Sequence, residues 1–407
     1  MGLGSLLLFA VTTAVLQKEA IVRGGCAGDE PPLATLAAGS RVQIRSALSL
    51  GGGACYRIAG ELNGKPVEGY LPASSLAGLD AFDQARRQAR DIGFSSAVEN
   101  VKQLTASVTK LQGKEHPAGK AAQLIEANQP AEALRLLEND LRRFPQDPYL
   151  LAVAGLAYYR MDDIERAILQ WKESLAIEAN PSLEAMLRRA EREKAADGGS
   201  ERMVGNRIVL RHERDLVPEP LARAMLEVLD EEYSRISVAI GCRASEKMTA
   251  VVTSRETYLR ATNAAEWSGG QYDGRIHVPV TASRNIDART RQTFAHELVH
   301  ACLSELGRWP AWVQEGLAQK YSGEQLGSGQ RAGLTAMIKA GEVPRPSLLG
   351  QNWSRMNGQN AQLAYSLALL AAEKMLEITA STGIGNVLRN PADLPRITEE
   401  VEKQLGY

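Results

Sequence analysis

Several things are scarce in this chain, and each absence narrows the field. It holds only four cysteines, Cys26, Cys55, Cys242 and Cys302, with no C-x-x-C pair among them. That disfavours a zinc site built from cysteine. Charge of one sign is missing: 47 Lys and Arg against 48 Asp and Glu leave a formal net charge of −1. No long-range field gathers nucleic acid or anionic lipid, so no nucleic-acid partner is expected. Long apolar runs are missing too. The most membrane-like stretch, Leu6 to Leu16, is shorter than the about 20 residues that span a bilayer. What remains is a globular composition, and 407 residues point to about two to three domains.

The apolar run matches the central region of a secretory signal peptide. On this reading residues 1–19 are a leader, cleaved for instance after Ala14, and the protein is exported to the periplasm, cell envelope or exterior. No stable membrane span would then remain. No Lys or Arg precedes the run, and a buried N-terminal strand or helix is the alternative. Arg23, three residues before Cys26, spoils a lipoprotein-type signal, and Leu6 fails the myristoylation pattern. In an exported protein Cys26 and Cys55 can pair within one small domain; otherwise both are small buried residues. Cys302 reads as helix packing.

The fold class expected is multidomain: a small all-β barrel, a pair of α-helical repeats and an α+β catalytic domain. Residues 20–79 read as short strands, with Leu36, Val42, Ile44, Tyr56, Ile58, Val67 and Tyr70 apolar between glycine turns. Asn63-Gly64 marks a hairpin. Residues 80–113 read as a helical connector. Within 114–195 a period of 34 maps Leu124 onto Tyr158, Ala133 onto Ala167, Leu134 onto Ile168, Leu137 onto Trp171 and Leu141 onto Leu175. Gly155 and Ala167 fall where paired helices must approach closely, and Pro145 and Pro181 near helix ends. Glu193 to Ser200 reads as a linker. Thereafter strands at Arg207–Arg211, Lys247–Thr253 and through Ile276 and Val278, a helix at Glu219–Ala239, and then mainly helices make 204–407 an α+β domain.

Only five histidines occur in the chain, and two stand at H-E-x-x-H spacing, His296-Glu297-Leu298-Val299-His300. Residues four apart on a helix share a face, so both imidazoles can bind one metal ion, with Glu297 beside it. Neutral imidazoles suit zinc. Downstream, Pro310 restarts a helix carrying Trp312-Val313-Gln314-Glu315-Gly316-Leu317-Ala318, which puts Glu315 fifteen residues after His300. His212 and His277 read as strand or surface residues.

This pattern resembles the peptidase MA-like gluzincins over roughly residues 204–407; nothing resembling a metzincin motif follows. The resemblance implies one zinc ion bound by His296, His300 and Glu315, with Glu297 as general base in peptide-bond hydrolysis. It also implies an oxyanion donor, for which Tyr365 is the candidate and Tyr321 the rival. Gln319 stands where some relatives carry an acid, so another group must orient a ligand histidine. The strand at Arg275–Val280 is expected to pair with an extended peptide or protein substrate. Trp267, Gly270 and Tyr272 either line that cleft or pack a hairpin turn. The 34-residue period resembles tetratricopeptide repeats, implying a groove for a protein partner or a spacer. Residues 20–79 resemble a bacterial Src-homology-3-type barrel, which binds envelope material or is a structural addition. The competing reading of the whole chain is a non-catalytic envelope scaffold that binds peptides or partners through the repeats and barrel.

Overall fold

The computed structural model describes residues 13–23, 32–50, 53–62, 64–79, 103–106, 116–197, 199–262, 269–280, 285–349 and 358–407. These fall into two compact units, one holding the described residues up to Leu79 and the other those from Gln103 onward. Most of the 80–113 connector, Cys26, the Cys55 side chain and Trp267 lie outside the described residues. Among those described, no helix is long and apolar enough to cross a membrane.

The first unit is an antiparallel, curled seven-stranded sheet. Its strands are β1 (Thr13–Leu16), β2 (Ala20–Arg23), β3 (Pro32–Leu36), β4 (Arg41–Leu50), β5 (Gly53–Leu62), β6 (Lys65–Pro72) and β7 (Leu76–Ala77), in the order β3-β2-β6-β5-β4-β1-β7. Alternation places Val42, Ile44, Tyr56, Ile58 and Leu71 on one buried face. β5 and β6 join in a tight hairpin, with Leu62 opposite Lys65 and Gly64 at φ +77°. β1 belongs to this sheet. Thr13–Val15 pair with Arg41–Gln43, and Ala14 and Leu16 are buried. A boundary at residue 20 therefore cuts through the sheet, and cleavage after Ala14 would divide β1.

From Pro117 the described residues of the second unit form five successive helices: α1 (Pro117–Glu126), α2 (Pro130–Arg143), α3 (Pro148–Arg160), α4 (Ile164–Ile177) and α5 (Pro181–Ala196). α4 begins and ends 34 residues after α2. The turn residues before them, Asn128 (φ +57°) and Asp162 (φ +65°), share the left-handed conformation at the same spacing. Ala133, Leu137, Ala167 and Trp171 fill one core, and Leu124, Tyr158, Leu134, Ile168, Leu141 and Leu175 pack against it. Gly155 lies against the Trp171 indole, with no room for a side chain between.

A five-stranded mixed sheet follows, in the order β11-β12-β10-β9-β8: β8 (Ser200–Val204), β9 (Ile208–Glu213), β10 (Met248–Ser254), β11 (Gln271–Tyr272) and β12 (Ile276–Val280). β9, β10 and β12 run parallel, while β8 and β11 pair antiparallel at the edges. Helices α6 (Glu219–Ile240), α7 (Arg255–Thr262), α8 (Ala288–Leu306), α9 (Ala311–Ser322), α10 (Ser328–Lys339), α11 (Gly358–Ile378), α12 (Ile384–Arg389) and α13 (Leu394–Leu405) complete the unit. α8 packs on α6, α9 and β12.

The helices and the mixed sheet share one compact unit, and the segment read as a linker is structural. Glu193 stands in the last turn of α5, 4% exposed. Arg275 reaches it through Nη1 (2.9 Å) and Nη2 (2.6 Å), and Arg211 pairs with the same carboxylate. Burial alone would raise its pKa, but Arg275 and Arg211 hold it well below the usual carboxylate range. Ser200 is already in β8.

Cys302 does more than pack. It forms a disulfide with Cys242, which follows the Gly241 cap of α6. The same two helices meet again where Arg291 Nε donates to Glu232 (2.6 Å). The closed loop has a sequence separation of 60, so Cys242→Ser with Cys302→Ser is expected to cost about 4 kcal/mol. Denaturant unfolding of the second unit in the two proteins checks this, and reductant should weaken that unit only in the native one.

Candidate metal centre

α8 starts where the Asp287 carboxylate accepts the Thr290 N–H (2.6 Å) and stops at Gly307. His296 and His300 lie one turn apart on it, their ring centroids 5.0 Å from each other. Pro310 caps α9, and Glu315 sits in that helix facing α8. α9 can approach α11 closely because residue 316 is glycine: a Cβ there would lie 2.2 Å from the Ala368 carbonyl oxygen. Gln319 Nε2 ties the same helices by donating to the Glu315 and Tyr365 carbonyls (3.1 and 3.0 Å).

This packing brings Glu315 Oε2 to 3.5 Å from His296 Nε2 and 3.7 Å from His300 Nε2. The donor atoms of the three residues all lie within 4.8 Å of one another. Ligand atoms about 2.0–2.1 Å from a tetrahedral ion stand about 3.3–3.4 Å apart. The two distances to Glu315 lie close to that value, and the two-nitrogen, one-oxygen donor set is one that suits a zinc ion.

Glu297 lies beside this cluster, 4% exposed, and its Oε2 has no hydrogen-bond partner among the described residues. Burial and then the Glu315 charge raise its pKa to about 8, with His296 opposing. Gly270 lies against it; a Cβ at that position would come within 2.7 Å of Glu297 Oε1. Burial lowers His300 to about 4. His296 goes the other way: burial opposes its charging, yet the Glu315 and Glu324 carboxylates push it up to about 10.

Glu324 is the residue that the motif does not announce. α9 ends at Gly323 in the left-handed conformation, the Glu324 N–H turns back onto the Gln319 carbonyl (2.9 Å), and Glu324 Oε1 comes 3.6 Å from His296 Nδ1. A carboxylate on that nitrogen leaves Nε2 for a metal. It is the group that the chain offers in place of an acid at position 319. The only sequence hint is an acid directly after a helix-ending glycine.

Tyr365, on α11, is half-buried. Burial, followed by the Glu315 and Glu297 charges, raises its pKa well above 10, which places its hydroxyl in the field of the cluster. Both tyrosines pack against the same core, but the charge beside Tyr321 is Arg235 rather than the cluster's carboxylates, so the two are not equivalent. His212 and His277 are buried in β9 and β12, and His277 Nε2 contacts Asp273 (3.1 Å). Tyr272 is buried with its hydroxyl on Ser304 (3.0 Å), a packing role. β11 covers the outer edge of β12 only at Ile276 and His277, and among the described strands none pairs with 278–280 on that side.

Comparison of the chain with protein-family models, with curated proteins and with solved structures finds no match. The site's own geometry therefore carries its reading.

Two outcomes follow from the electrostatics. Metal entry must expel the proton that His296 holds below pH 10, so apparent zinc affinity should rise about tenfold per pH unit from pH 6 to 9. Competition with a chromophoric chelator measures the slope. Glu324→Gln should weaken zinc binding about ten- to hundredfold at neutral pH, and an unchanged affinity would remove Glu324 from the site.

Proposed function

We propose that the chain is a zinc-dependent peptidase of the gluzincin type, with one zinc ion bound by His296, His300 and Glu315. The observation that carries the reading is the convergence of two imidazoles and one carboxylate beside a second, buried carboxylate, one oxygen of which has no hydrogen-bond partner among the described residues. A structural site would close its coordination with a fourth ligand, and here the neighbouring group is an acid placed to move a proton. Zinc in that position would polarise the scissile carbonyl and acidify the attacking water.

The chain's own residues supply the rest. Glu297 Oε2 takes the proton of the attacking water and delivers it to the leaving nitrogen. Burial suits this task, because it raises the Glu297 carboxyl from its ordinary acidic range toward neutrality, where a group can both accept and release a proton. The Tyr365 hydroxyl, kept protonated by burial and by neighbouring negative charge, donates to the oxyanion that develops on the carbonyl. An extended substrate lies along the outer edge of β12 at 278–280, where main-chain pairing recognises peptides with little regard to sequence.

The remaining parts fit an exported, multidomain enzyme. A Cys242–Cys302 disulfide supports an oxidising compartment. The curled sheet of residues 13–79 serves as an envelope-binding Src-homology-3-type barrel, and α1–α5 as tetratricopeptide-like repeats. Zinc content, together with hydrolysis of a mixed peptide pool, tests the reading. Glu297→Gln should keep zinc and lose at least about a hundredfold in rate. Glu315→Ala should lose the metal, and Tyr365→Phe should lower kcat about a hundredfold at full zinc occupancy. Peptide binding without any cleavage by zinc-loaded protein would favour the scaffold reading instead.

A further inference from the structure

Gly270, which lies against Glu297, leads directly into β11, and β11 is held only weakly by its own sheet. It pairs through two residues, Gln271 with His277 and Tyr272 with Ile276. Its stronger anchors come from the repeat helices. Gln271 is fully buried, and its Oε1 accepts from Arg189 Nη2 on α5 (3.1 Å). The same guanidinium pairs with Asp273 (2.7 Å), and its Nε donates to the Tyr159 hydroxyl on α3 (3.0 Å). Tyr159 in turn donates to Asp273 (3.0 Å), and the Arg275 guanidinium lies 3.9 Å over the Tyr159 ring. Residues 271, 273 and 275 are thus each gripped from α3 or α5.

We propose that Arg189 is a positioning residue: through Gln271 and Asp273 it fixes Gly270 against Glu297, making the repeat helices part of the machinery that sets the general base. Contact between Gly270 and Glu297 is already too close for a methyl group, with Thr293 Cγ2 a further 2.9 Å from the position of such a Cβ. A shift of the segment by a fraction of an ångström therefore changes where the Glu297 carboxylate stands. α5 reaches the reaction centre through two side-chain links and one backbone step. The consequence for rate rests on the peptidase reading; the anchoring does not.

Loss of Arg189 removes the closest cation from the buried Asp273 and can unfold the chain, so the test uses Arg189→Lys and Gln271→Leu. The leucine variant removes one link and leaves the Arg189–Asp273 pair in place. Amide hydrogen exchange is followed in zinc-free protein at residues 270–273, with α8 and β10 as internal references, and kcat and KM are measured on a peptide that the wild type cleaves. The expected result is exchange about tenfold faster at 270–273 alone, with kcat down about ten- to hundredfold and KM and zinc affinity unchanged. Unchanged exchange in both folded variants overturns the anchoring. Faster exchange with unchanged kcat overturns the link to Glu297. Absence of any cleavage by the wild type overturns the peptidase reading instead, and the exchange result still decides whether Arg189 holds the segment.

Discussion

A carboxylate out of reach of water is tolerable only where opposite charge meets it, and Glu193 is met from two sides by Arg275 and Arg211. The desolvation of each such ion costs several kcal/mol and is offset only by close, well-aligned partners. This constraint organises the second unit. It fixes α5 to β9 and to the start of β12, and Asp162 at the left-handed turn before α4 shares the same arginines. Arg189 and Asp273 repeat the arrangement with the signs exchanged between helix and sheet. The turn that bears Gly270 is placed as a result.

The helix that carries His296 and His300, α8, is constrained in a different way. Its ties to α6 fall on both sides of the histidines, Arg291 ahead of His296 and the Cys302 disulfide after His300. Its partner α9 is set by backbone contact with α11 at Gly316, where no side chain intervenes. Candidate donor atoms on two packed helices, α8 and α9, need little rearrangement on binding, which is the condition for a site to form ahead of its ligand.

How far all this was legible from the amino acids depends on the range of each interaction. His296 and His300 share a helical turn, and Pro310 and Glu315 follow at helix-starting and helix-facing positions, so local rules sufficed to name them. The 34-residue period was legible because the same core positions, Ala133 and Ala167 or Leu137 and Trp171, recur in register. Glu193, Arg211 and Arg275 were not, because charged residues far apart in sequence look like solvated faces until folding buries them together. Glu193 in particular reads as linker beside Asp197-Gly198-Gly199. The polar strand β8 hides for the same reason, and the Cys242–Cys302 pair leaves no local mark. Glu324 needed the turn at Gly323 to be seen.

The charge pattern at the α5–sheet contact also bears on how such a chain can be assembled in evolution. A recombination event with its breakpoint after Ala196 would leave Arg211 and Arg275 on one side and Glu193 and Asp162 on the other. Each fragment would then lose the counter-charges of its contact face and expose that face to water. The half that carries His296 and His300 is consequently ill suited to transfer alone, because its contact face is built from charges that the helices neutralise.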